Sequence, residues 1–187
     1  MKKVYVFLAE GFEEIEAVGT VDILRRSGIE TILVSTGNSL QVTGAHSLTL
    51  SADVFLHEIT DADAFILPGG LPGADNLFNN LDLRQRLLTH HAQHKLVAAI
   101  CAAPFILGKL KLLQGRRATC YPGFEMQLEG ATVTYAPVEV DLPFITARGP
   151  AYVFPFALAI VEALLGRLAA DKTAQAALLT EAKNGNE

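Results

Sequence analysis

The sequence predicts an α/β fold built on a mostly parallel sheet. Three observations carry this. Four short runs, Val4–Ala9, Thr31–Ser35, Ala64–Leu67 and Leu96–Ile100, are apolar or β-branched throughout and lack the in-and-out alternation of half-exposed strands. Helical patterns separate them, as crossover helices separate parallel strands. Half of the 187 residues are hydrophobic and 19% are charged, the balance of one chain folding around one core. A single domain over residues 1–187 is expected, with no internal repeat or linker.

Val4–Ala9 opens the sheet, and Glu13–Arg26 is a helix that Ser27-Gly28 ends. After the second strand, Gln41–Leu50 reads as a hairpin around Thr43-Gly44-Ala45. The third strand leads into Leu67-Pro68-Gly69-Gly70-Leu71-Pro72-Gly73, a turn-forming stretch. A helix over Asp82–His94 starts behind an Asn-Asn pair able to cap it. The fourth strand runs directly into a helical pattern, Ala102–Leu110. Thr132–Tyr135 and Phe144–Thr146 read as edge strands, and an amphipathic helix from Tyr152 to Leu165 stops at Gly166. An Ala-rich helix from Ala169 to Ala182 and a polar tail, residues 183–187, complete the chain.

Composition narrows the function classes. Fifteen basic against twenty acidic residues give a net charge of −5, which leaves no broad cationic face for the phosphate contacts of nucleic-acid binding. The longest apolar stretch, Leu96–Gly108, contains Pro104 and falls short of the roughly 20 residues of a membrane helix. No signal peptide is read at Met1-Lys2-Lys3, so a cytoplasmic location is expected, and with it free thiols at Cys101 and Cys120.

Open α/β sheets bind ligands beyond the carboxyl ends of their strands. After the first strand stand Glu10, Glu13, Glu14 and Glu16, where a nucleotide-binding protein would place a phosphate cradle; four carboxylates repel phosphate, so no nucleotide cofactor is expected. After the fourth strand, Ala99 and Ala103 flank Cys101 at the offsets of small residues around a nucleophile elbow. There the amides and dipole of a helix N-terminus favour a thiolate, although a small buried hydrophobe explains a free cysteine as well. The amides of Gly69-Gly70 can face an oxyanion or merely serve a turn that needs positive φ. Glu16, beside Ile15, Ala17 and Val18, is read as turned inward and able to hold a proton near the thiol, while Glu13 and Glu14 suit the solvated first turn of a helix. His90, His91 and His94 share a helix that leads to the start of a strand, the wrong end of the sheet for a site, and read as a solvated helix C-terminus. With no His and carboxylate cluster expected at the site edge, no metal is expected.

The segments Ala9-Glu10-Gly11-Phe12-Glu13-Glu14-Ile15-Glu16, Leu67-Pro68-Gly69-Gly70, Ala99-Ile100-Cys101-Ala102-Ala103-Pro104, Thr146-Ala147-Arg148-Gly149-Pro150 and Phe156–Leu164 together resemble the ThiJ/PfpI superfamily, or DJ-one family, in its DJ-one-like branch. The match runs in order along nearly the whole chain. The resemblance implies a flavodoxin-like three-layer α/β/α sandwich, a homodimer and no cofactor. It implies Cys101 as nucleophile, Glu16 as its protonated partner, and the amides of Gly70 and Ala102 as oxyanion donors. Family activities include glutathione-independent glyoxalase, deglycation, chaperone-like holding and peroxide sensing. The expectation drawn is a cytoplasmic enzyme acting on a small aldehyde substrate, an α-oxoaldehyde such as methylglyoxal, and the alternative is a redox sensor or holdase using the same cysteine. Thiazole-phosphate biosynthesis, the family's historical association, is disfavoured by the acidic loop. Tyr121 stands where some relatives carry a histidine before a proline, and a phenol is a poor base at neutral pH. Ala102 sets the chain apart from branches with a histidine directly after the nucleophile. His46 matches a basic position near the dimer interface of relatives, from which it would approach a partner's Cys101, although a polar hairpin residue is the commoner explanation. Arg148 and Pro150 lie in a matched segment as surroundings of the site.

Overall fold

A computed structural model describes residues 1–179. The strands are β1 (Lys3–Leu8), β2 (Glu30–Ser35), β3 (Gln41–Thr43), β4 (Thr49–Ser51), β5 (Val54–Phe55), β6 (Ala64–Leu67), β7 (Leu96–Ile100), β8 (Arg117–Ala118), β9 (Thr132–Val133), β10 (Val138–Asp141) and β11 (Phe144–Ala147). The helices are α1 (Glu14–Arg26), α2 (Gly73–Asn79), α3 (Leu81–Ala92), α4 (Pro104–Lys109), α5 (Val153–Leu165) and α6 (Arg167–Ala176).

Seven strands form the central sheet in the order β10-β11-β7-β6-β1-β2-β5, parallel except for β10. The four apolar runs occupy its middle because both faces are covered. Val4, Val6, Ile66, Ala98 and Ile100 pack under α1, α5 and α6. Tyr5, Phe7, Phe65, Leu67, Val97 and Ala99 pack under α2, α3 and α4. A strand buried on both sides has no polar alternate positions, which is the continuous pattern the sequence displays. The result is the expected three-layer α/β/α sandwich.

β1 is followed by β2 on one side of it, and the chain then returns to β6 on the other. The order of strands therefore reverses at β1 and β6, and the crevice at their carboxyl ends is the place this topology leaves for a ligand.

Several elements differ from expectation. Phe144–Thr146 is no edge: β11 pairs with β7 in register Ile145↔Ala98, is buried along its length, and leaves the edge to β10. Thr132–Tyr135 contributes only a two-residue strand to a separate pair, β8 with β9. α2 lies just past the expected turn, where no element was read, and α4 begins at Pro104. The hairpin is present as β3 and β4, and Asn80 caps α3 by accepting from Leu83 N–H at 3.0 Å. The last helix ends at Ala176 rather than Ala182; residues 180–182 of that expectation and the tail, 183–187, lie outside the described residues. Among the described residues no helix is long and apolar enough to cross a membrane.

Candidate active site

The carboxyl ends of β1, β6 and β7 bring Glu13–Glu16, Gly69-Gly70 and Cys101 together. β7 passes into Cys101 without a loop, and the residue takes φ +63°, the left-handed region that side chains disfavour. Three backbone bonds hold it there. Its N–H donates to Ala147 O at 2.9 Å, its carbonyl accepts from Tyr121 N–H at 2.8 Å, and Ala103 N–H closes the turn onto Ile100 O at 3.1 Å. This is the sharp corner that Ala99 and Ala103 predict, with both alanines fully buried.

Glu16 is fully buried on the first turn of α1. Glu13 caps that helix, its Oε2 accepting from Glu16 N–H at 2.7 Å, so one carboxylate fixes the backbone of the other. Gly69 N–H donates to Glu16 Oε2 at 2.7 Å. The carboxyl's other oxygen, Oε1, is buried without a nitrogen or oxygen partner, and the carboxyl's remaining interaction is with the Cys101 thiol. Gly69 permits this approach: a Cβ there would lie 2.6 Å from Cys101 Cβ and 2.9 Å from Glu16 Oε2. Gly70, at φ +88°, offers its amide to the sulfur together with that of Ala102.

Burial pushes Glu16 up to about 8, against the pull of the Gly69 amide, and the nearby charge of Glu13 adds to the rise. It is therefore a neutral acid at pH 7. Burial also pushes Cys101 up to about 12, with a Glu16 carboxylate beside it as the next cause and the Gly70 and Ala102 amides opposing. The helix terminus does not produce the freely ionised thiolate expected, because desolvation outweighs two amides. An ionised Glu16 repels a thiolate, so the two groups do not both lose their protons near neutrality. While Glu16 keeps its own proton that repulsion is absent, its O–H is available to the sulfur, and the first negative charge belongs to the pair.

Glu13 and Glu14 are buried rather than solvated, because the β3–β4 hairpin folds over the start of α1. Glu14 accepts from His46 N–H at 2.6 Å, from Leu48 N–H at 3.3 Å and from the His46 ring Nδ1 at 2.9 Å. Burial raises the Glu14 pKa, but the bonds from His46 outweigh it and hold the carboxyl below its usual range, while that same bond raises His46. Ligand atoms of Glu13, Glu14 and His46 lie within 4.8 Å of one another, a cluster at the site edge where none was expected. A cation would have to displace the His46–Glu14 hydrogen bond, so these residues fit a latch between hairpin and helix better than a metal centre.

A cavity of about 360 Å³ opens over the sulfur, walled by Gly70, Leu71, Tyr121, Phe124 and Pro150, with Glu13 and His46 on one side. His46 thus borders the Cys101 of its own chain. Tyr121 is half-exposed in the wall. Sequence reasoning missed Glu13, Leu71 and Phe124 as parts of the site. Glu13 had a legible signal, an acceptor three residues before Glu16 at capping distance; Leu71 and Phe124 had none. Cys120 is also buried, and burial, then Glu125, push its thiol up to about 12 against the pull of Arg148. Both cysteines are free.

The histidines lie at the opposite edge, as expected, but His90 is not solvated. It is 4% exposed, stacks on Phe65 with centroids 3.8 Å apart, and pairs its Nε2 with Leu96 O at 3.0 Å. Burial drives it down to about 4. His91 stacks on Phe144 at 5.1 Å.

A doubly wound sheet with a cysteine at its strand-to-helix elbow and a buried carboxyl beside the sulfur defines a class of cysteine-centred α/β proteins. Comparison with known proteins places the chain within that class. Residues 2–163 match the model of the DJ-1/PfpI family, and the chain belongs to that family. It is 40% identical over 170 residues to Protein DJ-1 homolog B of Arabidopsis thaliana, covering 89% of this chain and 39% of that one. Over 171 residues it is 36% identical to the Parkinson disease protein 7 homolog of Danio rerio, covering 88% and 90%. The chain thus spans well under half the length of the plant relative. Among solved structures, oxidized DJ-1 of Toxoplasma gondii superposes with a TM-score of 0.92 at 36% identity, covering 95% of this chain and 98% of that one. Drosophila melanogaster DJ-1beta gives 0.91 at 31%, covering 96% and 99%.

Proposed function

We propose that the chain is a cofactor-free, glutathione-independent glyoxalase that converts α-oxoaldehydes such as methylglyoxal, with water, to α-hydroxy acids. The observation that carries this reading is the buried pair of Glu16 and Cys101, an acid that is neutral at pH 7 in contact with a thiol on which two amides converge. In the pair that has lost one proton to solvent, the Cys101 sulfur attacks the aldehyde carbon as a thiolate while Glu16 keeps its proton, and the new oxyanion meets the amides of Gly70 and Ala102. Glu16 protonates that oxygen to give the hemithioacetal. As a carboxylate it then takes the proton from the former aldehyde carbon and returns it to the neighbouring carbon, while the hydroxyl proton passes from the first oxygen to the second, leaving an α-hydroxy thioester. Water cleaves the thioester, releases lactate in the case of methylglyoxal, and restores the thiol. The sum is one oxoaldehyde and one water to one hydroxy acid, with no oxidant or reductant.

The test is lactate formation from methylglyoxal by wild type against Cys101→Ala. Turnover by wild type alone supports the reading; equal background in both proteins overturns it.

A second reading is supported by the oxidised state of the Toxoplasma relative. Here two equivalents of peroxide take Cys101 to the sulfinic acid, which Glu16 hydrogen-bonds. Glu16→Gln separates the two readings, because an amide still donates a hydrogen bond but moves no proton.

A homodimer is part of the proposal. Ile15 and Val18 on α1 are 59% and 47% exposed, and Leu48 on the adjoining hairpin is 61% exposed, an apolar face suited to a second copy. Sedimentation at micromolar concentration is expected to give twice the monomer mass of 20.1 kDa.

A further inference from the structure

Beyond the Cys101 cavity lies a second one of about 260 Å³, lined by Tyr121, Pro122, Arg148, Pro150 and Tyr152 among others. Tyr121 and Pro150 border both cavities, so the two adjoin across the Tyr121 ring. Gly149 makes room for that ring, since a Cβ there would come within 3.3 Å of it.

Arg148 is the unusual residue in this wall. Every other arginine of the described residues has a partner: Arg25, Arg26, Arg86, Arg116, Arg117 and Arg167 bond to carboxylates, and Arg84 lies over Phe78 at 4.8 Å. Among the described residues only the backbone of Arg148 is bonded, its N–H donating to Pro137 O at 3.1 Å. An arginine of intermediate exposure whose guanidinium has no partner, in a chain with five acidic residues in excess, is an available donor fork. The main chain that carries it is tied to the nucleophile, because the preceding residue, Ala147, accepts the Cys101 N–H.

We infer that Arg148 and its cavity form a carboxylate-binding extension of the Cys101 site. One guanidinium with no second cation in the lining matches a monoanion held by paired N–H bonds, and the apolar walls strengthen that bond by excluding water. The anionic end is drawn to Arg148, which lines the second cavity, whereas Glu13 and His46 line the one over the sulfur. Resting on the oxoaldehyde reading above, the extension names the substrate class: α-oxoaldehydes with a carboxylate on the far end from the aldehyde.

The test does not depend on turnover. Alkylation of Cys101 is timed with 4-(bromomethyl)benzoate and with 4-(bromomethyl)benzamide, mapped by mass spectrometry, and each rate is divided by that of a free small thiol. Wild type is expected to favour the benzoate by about tenfold, the size of one partly solvated charge-assisted hydrogen bond. Arg148→Gln is expected to lose that preference and Arg148→Lys to keep part of it. Because the readout is a ratio within one protein, a general loss of thiol reactivity cancels, and the partial preference kept by Arg148→Lys, with an unchanged far-ultraviolet circular dichroism spectrum of Arg148→Gln, separates loss of the site from loss of the fold. A flat ratio in wild type, or one unchanged in Arg148→Gln, overturns the extension. In parallel, kcat/KM is measured for 4-carboxyphenylglyoxal and phenylglyoxal. Turnover of both with a flat alkylation ratio overturns the extension and leaves the glyoxalase reading standing. Turnover of neither, with the benzoate preference intact, overturns the glyoxalase reading and supports the anion site.

Discussion

The two edges of the sheet bury ionisable groups in opposite senses. At the carboxyl edge Glu16 keeps a proton that solvent would remove, and at the amino edge His90 gives up a proton that solvent would supply. Burial is the leading cause in both, and both groups are neutral at pH 7. What separates them is the neighbour. His90 faces a carbonyl and an aromatic ring, neither of which exchanges protons, whereas Glu16 faces a thiol. A displaced pKa is thus a packing feature at one edge and a proton relay at the other, and only the partner tells them apart.

The contrast breaks most completely at the sulfur. Cys101→Ala is expected to reduce lactate formation to background, while Cys120→Ser, away from the relay, keeps it within about threefold, as a small change at a buried site outside the chemistry should. Glu16→Gln is expected to lower turnover by about 10²–10⁴-fold, the usual range for a general acid and base. Its Cys101 should still oxidise, which intact mass will reveal.

Stability against pH sharpens the comparison. The folded state holds the Glu16 proton between its ordinary value of 4.5 and about 8, while the unfolded chain releases it. Stability therefore falls as pH rises through that window, by up to about 1.4 kcal/mol per unit. His90 works the other way: the unfolded chain takes up a proton between 6.5 and about 4 that the folded state refuses, so stability falls as pH drops through that range. Between 4.5 and 6.5 the two slopes oppose each other. Urea titrations should show a plateau there with a decline on the alkaline side that Glu16→Gln removes. His90→Phe should remove the His90 contribution on the acid side, at a cost near neutrality of about 1–3 kcal/mol for the orphaned Leu96 carbonyl.

The smallest effect concerns labelling. Alkylation of Cys101 should rise as the pair loses its first proton near pH 8, whereas Cys120, pushed to about 12 and with no acid to share a proton, should remain unlabelled in the folded protein. Equal labelling of the two thiols would contradict the shared charge.

The sequence made the middle of the sheet legible because strands covered on both faces carry uninterrupted apolar runs, and it made the elbow legible because only small residues fit beside Cys101. Glu16 was legible from its apolar neighbours. Glu13 and Glu14 were misread, since their cover comes from a hairpin whose docking on α1 no local pattern records. His90 was misread for the same reason: Phe65, its stacking partner, lies on another strand. Phe144–Thr146 was taken for an edge strand, yet the turn before it returns the chain inward, pairs β11 with β7 and leaves β10 outside, a pairing that no local pattern records. α2 escaped because Pro72, Gly73, Asp75 and Asn76 are turn formers by composition, and what makes them helical is packing of Ala74 and Leu77 into the core.

Gly69 sets a tolerance rather than supplying a group. Its missing methyl would sit 2.6 Å from the Cβ of the nucleophile and 2.9 Å from the carboxyl that serves it. Chemistry-led searches for functional positions would pass over it, having no acid, base or nucleophile to notice. In a mutational library it should nevertheless behave like the reactive residues themselves, because one carbon atom inserted there is a wedge between a sulfur and its proton.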